Sequence, residues 1–205
     1  MKNSYYELIS QNYNFPQEGF DLSDGHLTFH GVNIKKLIDK YGSPFKLLYL
    51  PKIGEQIEKA RNHFDQAIEK YKYGGEYNYC YCTKSCHFAF VLETALKENV
   101  HLETSSSFDI DIILRLLESG KLTKDITLIH NGYKTDAYLR KILKLNKEGF
   151  TNSILVLDSK FELARIKKIA EDYQGSLQIG IRMAIDEHPQ SSHHTSRLGL
   201  SLIHI

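Results

Sequence analysis

The sequence predicts an α/β fold with a parallel sheet, on three observations. From residue 76 onward, short apolar or alternating runs take turns with amphipathic stretches, the pattern of a βα repeat. Capping signatures open two helices of that repeat, and glycines close several of them. The units recur at roughly 25-residue intervals, a length that suits right-handed strand–helix–strand crossovers.

The elements follow in order. Asp21–Val32 contains Asp24-Gly25, a hairpin-type turn between short apolar runs. Asn33–Tyr41 reads as a short helix stopped by Gly42, and Pro44–Leu50 is strand-like. Ile53, Ile57, Ala60, Phe64 and Ala67 mark one face of a long amphipathic helix. Glu76–Cys82 alternates and is rich in tyrosine, so it opens the repeat as a strand. His87–Glu98 is a helix with Phe88, Val91, Leu92 and Ala95 on one face. Val100–Glu103 is a strand. Phe108–Glu118 is a helix entered through the capping box Ser106-Ser107-Phe108-Asp109 and stopped by Gly120. Ile126–His130 is a strand, Asp136–Lys147 a helix, and Gly149 its stop. Ser153–Leu157 is a strand, and Ser159–Glu162 caps a helix that runs to about Tyr173. Leu177–Ala184 is a further strand.

A doubly wound sheet and a closed (β/α)8 barrel both fit this order. A complete barrel takes about 250 residues, and the repeat supplies only about five units. The expectation is therefore a partial (β/α)8 barrel over residues 51–205, preceded by an N-terminal appendage over residues 1–50.

Composition narrows the function classes. The chain has 205 residues, 41% hydrophobic and 25% charged, which is enough apolar material for a core. The formal net charge of +1 gives no footing for a nucleic-acid surface. No uncharged apolar run approaches the roughly 18 residues of a membrane span, and Met1–Asn14 has no signal or transit pattern. Cys80, Cys82 and Cys86 are odd in number and crowded together, unlike a secreted disulfide framework. A reduced, cytoplasmic setting is expected. Those cysteines lack paired C-x-x-C spacing, and His188, His193 and His194 sit in the polar stretch Glu187–Thr195, so no metal site is expected.

Lys84 is the residue with the most chemistry in its position. Strand alternation puts Asn78, Cys80, Cys82 and Lys84 on one face and Tyr77, Tyr79, Tyr81 and Thr83 on the other. In a barrel the small residues would face the interior and the tyrosines would pack under helices. Lys84 would then stand at the C-terminal mouth, where barrel enzymes keep their catalytic groups. Burial there would depress its pKa and free the amine to attack an aldehyde. A solvated lysine at a loop start is the plain alternative.

The motifs around Lys84 decide between these. Tyr81-Cys82-Thr83-Lys84-Ser85 is similar to the Tyr-x-x-Lys-(Ala/Ser) motif of the alanine racemase-like, fold-type III, pyridoxal-phosphate enzymes. Tyr41-Gly42-Ser43-Pro44 resembles the Tyr-Gly-Thr-Pro with which the decarboxylases of this group open. His101–Ser106 takes the place of their second strand end, an acid followed by a serine-rich turn. Asn131-Gly132-Tyr133-Lys134 resembles the Asn-Gly-Tyr-Lys of biosynthetic arginine decarboxylases. Ile181-Arg182 and Ser196-Arg197-Leu198-Gly199 resemble later elements of the family. Order and spacing agree from about Tyr41 to Leu200.

The resemblance implies pyridoxal 5'-phosphate held by Lys84, with Glu103 and Arg182 beside it. It places Asp109, Asn131 and Ser196 at the pocket more weakly. Asp109 also reads as a helix cap, Glu103 as a helix-dipole partner, Asn131 as a turn residue and Arg182 as a surface ion pair. Full-length relatives leave room for Mg2+, which no residue of this sequence supports. The implied reaction is decarboxylation of arginine to agmatine and carbon dioxide, feeding polyamine synthesis. Diaminopimelate and ornithine are the alternative substrates, and a non-catalytic binding protein is the alternative class. A homodimer or larger assembly of the full-length enzyme is implied.

The resemblance also implies parts that would lie beyond Ile205. These are a histidine stacked on the cofactor ring, a glycine-rich phosphate loop, an acid for the pyridinium nitrogen, and a cysteine and aspartate from the partner subunit. Leu200–Ile205 reads LSLIHI, the translation of the transposon-end adapter CTGTCTCTTATACACATC. The expectation is a truncated reading frame with an artefactual terminus and little activity alone.

Overall fold

The computed structural model describes residues 18–184 and 200–201. Ser196, His188, His193, His194 and the Ser196–Gly199 motif lie outside the described residues. The chain divides into two compact units, Met1–Tyr49 and Leu50–Ile205.

In the first unit, β1 (Phe20–Ser23), β2 (His26–Phe29) and β3 (Val32–Asn33) form an antiparallel sheet in that order. Both turns take left-handed backbone at two successive residues, Asp24-Gly25 and then His30-Gly31. Such turns match the twist of a hairpin, so the glycines are needed where they stand. Helix α1 (Ile34–Tyr41) starts where the Asn33 side chain accepts the Lys36 N–H at 3.0 Å, and it ends at Gly42. Pro44–Leu50 forms no strand, contrary to expectation. Among the described residues no strand pairs with it, and Phe45, Leu47 and Leu48 stay exposed.

The second unit is the βα repeat. Its sheet runs β4 (Cys80–Cys82), β5 (His101–Thr104), β6 (Leu128–His130), β7 (Ser153–Leu157) and β8 (Gln178–Ile181), all parallel and in sequence order. A doubly wound sheet reverses its strand order at a switch point, whereas a barrel does not. The five strands therefore form an arc of a (β/α)8 barrel.

Helices α2 (Pro51–Tyr71), α3 (Ala89–Leu96), α4 (Ser107–Glu118), α5 (Asp136–Lys147) and α6 (Lys160–Ile169) complete the units. Leu102, Leu128 and Leu155 face the helices and join Leu92, Ile110, Ile113, Leu139 and Ile142 in the core. Tyr81 packs against this core, and Tyr79 and Tyr81 pack against Ile57, Ala95 and Val100, so the tyrosine face of β4 does lie under helices. Gly120 and Gly149 close α4 and α5 with positive φ. The Lys121 and Phe150 N–H groups return to the Leu116 and Leu145 carbonyls, the 6→1 bonds of a Schellman close.

Three boundaries differ most from expectation. Only Cys80–Cys82 of Glu76–Cys82 is strand, because β5 begins opposite Cys80 and offers nothing earlier to pair with. Tyr77 instead stacks on Phe64, 4.0 Å between centroids. Helix α6 ends at Ile169 rather than Tyr173. The last strand breaks at Arg182, whose N–H still donates to Leu157 O. Beyond it β9 (Met183–Ala184) leaves the sheet and pairs in parallel with β10 (Leu200–Ser201).

Candidate active site

The C-terminal ends of the five strands carry the candidate groups. Lys84 follows β4 by two residues and is exposed rather than buried as expected. Its side chain forms no ion pair or hydrogen bond among the described residues. It lines a cleft of about 500 Å³ with His87, Ser105, Ser106, Phe108 and Asp109. The buried hydroxyl oxygen of Ser105 has no partner there. Asp109 is spoken for: its Oδ2 accepts the N–H groups of Ser105 at 2.7 Å and Ser106 at 2.8 Å, which is the carboxylate half of the capping box.

Glu103 sits on the helix-free face of β5, half-buried. Its Oε1 accepts from Asn131 Nδ2 at 3.3 Å and from the Cys82 thiol at 3.5 Å. Burial pushes the Cys82 thiol up from its ordinary pKa, and the Glu103 carboxylate adds to that. The structure thus joins Glu103 to Asn131, while Lys84 stands in its own cleft.

Arg182 pairs with Asp158, Nη1 to Oδ1 3.7 Å, one position past the ends of β8 and β7. That Asp158 oxygen is buried and accepts no hydrogen bond. Sequence reasoning missed Asp158. Its signal was positional, since it follows the buried strand Ser153–Leu157 at the same end as Lys84.

Sequence reasoning also missed two buried polar arrangements behind the mouth. Lys134 and Glu162 are 0% and 1% exposed and lie 3.5 Å apart. Burial lowers the Lys134 pKa, and Glu162 and Asp158 oppose that. The second is a chain of hydrogen bonds. Tyr138 Oη meets Thr104 Oγ1 at 2.6 Å, Thr104 Oγ1 meets His130 Nδ1 at 2.7 Å, and His130 Nε2 meets Ser153 Oγ at 2.7 Å. A neutral imidazole satisfies this chain, donating at one nitrogen and accepting at the other. Burial, helped by Lys134, lowers the His130 pKa to about 3.

This makes acid stability a test. The unfolded histidine takes up a proton as pH falls through about 6.5, while the folded one waits until about 3. The contribution is therefore intact above pH 6.5 and lost below it. Unfolding free energy is expected to be about 3 kcal/mol lower at roughly pH 4.5 than at pH 8 from this group alone. Urea titrations of the protein and of His130→Gln check it: the variant should lack that part of the acid slope, and equal slopes would refute the assignment.

Comparison with known proteins decides the family. Residues 53–203 match the model of the pyridoxal-dependent decarboxylases, pyridoxal binding domain. The chain belongs to this family. Among its relatives, the biosynthetic arginine decarboxylase of Bacteroides thetaiotaomicron is 28% identical over 163 residues, 75% of this chain and 25% of that protein. That of Prochlorococcus marinus subsp. pastoris is 27% identical over 185 residues, 83% of this chain and 28% of that protein. The chain thus spans about a quarter of the length of the curated relatives it matches. Solved structures agree on the fold. Diaminopimelate decarboxylase from M. jannaschii superposes with a TM-score of 0.73 at 17% identity, covering 91% of this chain and 42% of that one. The biosynthetic arginine decarboxylase from Campylobacter jejuni gives 0.65 at 22%, covering 92% and 32%. The pyridoxal-dependent decarboxylase family therefore accounts for the partial barrel.

Proposed function

We propose that this chain is part of a decarboxylase that releases carbon dioxide from arginine and forms agmatine, with Lys84 as its cofactor-holding residue. The observation that carries the reading is the Lys84 amine, unpaired among the described residues, at a barrel mouth beside a cleft of about 500 Å³. That volume suits a small molecule. Pyridoxal phosphate fits the residues present: it brings an aldehyde, and Lys84 offers a primary amine with no carboxylate paired to it among the described residues. When bound, that cofactor supplies an electron sink for the pair left behind by carbon dioxide.

The chain's own residues do the rest of what lies in it. Lys84 holds the cofactor covalently through its Nζ. Glu103, fixed at Oε1 by Asn131 and Cys82, presents a carboxylate from the next strand end. Arg182, paired to Asp158, presents a cation from the far side of the arc. Asp109 contributes by holding the Ser105–Ser106 turn, and Ser196 is carried as a pocket residue on the motif alone. Residues 1–50 belong with the β domain of the full-length enzyme, which works as a homo-oligomer. Arginine is favoured over ornithine and diaminopimelate by Asn131–Lys134 and by the names of the sequence relatives.

The test uses the full-length protein. Incubation with pyridoxal phosphate and then borohydride should fix a phosphopyridoxyl group on Lys84, read by peptide mass spectrometry. Carbon dioxide release from arginine, ornithine and diaminopimelate then assigns the substrate. Labelling without any carbon dioxide release would favour a non-catalytic homologue, and no labelling at Lys84 would overturn the proposal.

A further inference from the structure

The Asn131-Gly132-Tyr133-Lys134 loop invites a role in reading the substrate. The structure gives its last residue another. Lys134 is 0% exposed and points away from solvent. Its Nζ donates to Gly132 O at 2.7 Å and faces Glu162 Oε2 at 3.5 Å. Its backbone N–H donates to Glu162 Oε1 at 2.9 Å. The other Glu162 oxygen accepts the Asp158 N–H at 2.8 Å. Arg165, one turn further along α6, donates to Lys134 O at 2.9 Å and to Tyr133 Oη at 2.7 Å. The C-terminal half of the loop is thus bolted to the start of α6.

The N-terminal half faces the opposite way. The Asn131 N–H donates to Thr104 O at 2.9 Å, and its Nδ2 donates to Glu103 Oε1. Gly132 has a φ of +71°, and a Cβ on it would lie 3.0 Å from Ser105 O. Only glycine allows that backbone and that approach. The loop is therefore clamped between the end of β5 and the first turn of α6, with its own hydrogen bonds at both ends.

We infer that Lys134 and Glu162 are positioning residues: their buried ion pair anchors the 131–134 loop so that Asn131 holds the Glu103 carboxylate at the barrel mouth. A lone Asn side chain on a short loop has rotamer freedom to lose, and a single bond to a half-buried acid recovers little of it. A fixed loop end lowers that cost. The buried pair cannot contact substrate, so its influence on the mouth runs through Asn131.

The inference deepens the reading of this mouth as an active site, yet its test needs no cofactor. The Cys82 thiol shares Glu103 Oε1 with Asn131 and so reports on that carboxylate. The titratable groups around it among the described residues are Glu103 from β5, Lys84 and Tyr81 from its own strand and its end, and Tyr138 from α5. Iodoacetamide alkylation of the 205-residue chain, resolved by cysteine with mass spectrometry, is followed across pH. In Lys134→Met/Glu162→Gln, which removes both charges together, the Glu103 carboxylate is freed to swing away from Cys82 and should hold the thiol up less, burial continuing to raise it. Cys82 alkylation near neutral pH should rise about threefold, as in Asn131→Ala, with its pH profile displaced downward. Cys86 should keep its rate, while Cys80, whose thiol the Glu103 carboxylate also raises, should shift in the same direction but less. A folded double variant with an unchanged Cys82 profile overturns the inference, and so does equal acceleration of all three cysteines, which marks general loosening. If the double variant does not fold, Lys134→Met, which removes the ion pair and keeps both backbone N–H bonds to Glu162, is read in its place by the same criteria.

Discussion

Lys84→Ala in the full-length enzyme is expected to reduce decarboxylation by on the order of 10⁴-fold or more, equivalent to about 5.4 kcal/mol of barrier. The size follows from what the residue does at its position. Lys84 is the exposed amine in the cleft and has no ion pair to break among the described residues. Removing it costs the fold little, so the loss should fall on chemistry rather than stability. Thermal unfolding within a few degrees of wild type, with loss of the borohydride-fixed adduct, is the expected pair of results. Lys84→Arg should fare no better, because guanidinium remains protonated and cannot serve as a nucleophilic amine. Activity within tenfold of wild type in Lys84→Ala would remove the residue from the reaction.

The position of Lys84 was legible because strands alternate and helices have a period. The bounds of α5 and β7 agree with expectation residue for residue, since each carries a complete local pattern with caps or turns at its ends. Pairing length is not local. Glu76–Tyr79 has the alternation of a strand, but its fate depends on where β5 starts, some twenty residues on. Pro44–Leu50 fails for the same reason. The candidate site divides likewise. Lys84 was singled out by strand alternation and its motif, and Glu103, Asn131 and Arg182 by the family motifs at the later strand ends. Their partners were not. Glu162 reads as a helix-capping acid, which it is, and nothing local says that its carboxylate also meets a lysine 28 positions earlier. His130 reads as the last residue of a strand, and its two hydroxyl partners come from β5 and β7.

Glu162→Ala is expected to destabilise the chain by about 3–5 kcal/mol, the usual cost of stripping one partner from a buried ion pair. Three donors lose their acceptor together: the Lys134 ammonium, the Lys134 N–H and the Asp158 N–H. Against a typical domain stability of about 5–15 kcal/mol, that is a large share. The loss should also carry a pH signature. Burial already holds the Lys134 pKa below its ordinary value, and Glu162 is the first group opposing that. Without Glu162 the folded pKa falls further, while the unfolded one stays near about 10.5. Between those values the unfolded chain binds the extra proton, so stability rises with pH across that window. The window opens at lower pH in the variant, so its deficit from wild type should shrink as pH is raised. Urea unfolding near pH 7 and near pH 9 measures both, and Lys134→Met/Glu162→Gln should recover much of the deficit by leaving no buried charge alone. A deficit independent of pH would mean that Lys134 is already neutral in the folded chain, and that hydrogen bonds alone anchor the loop.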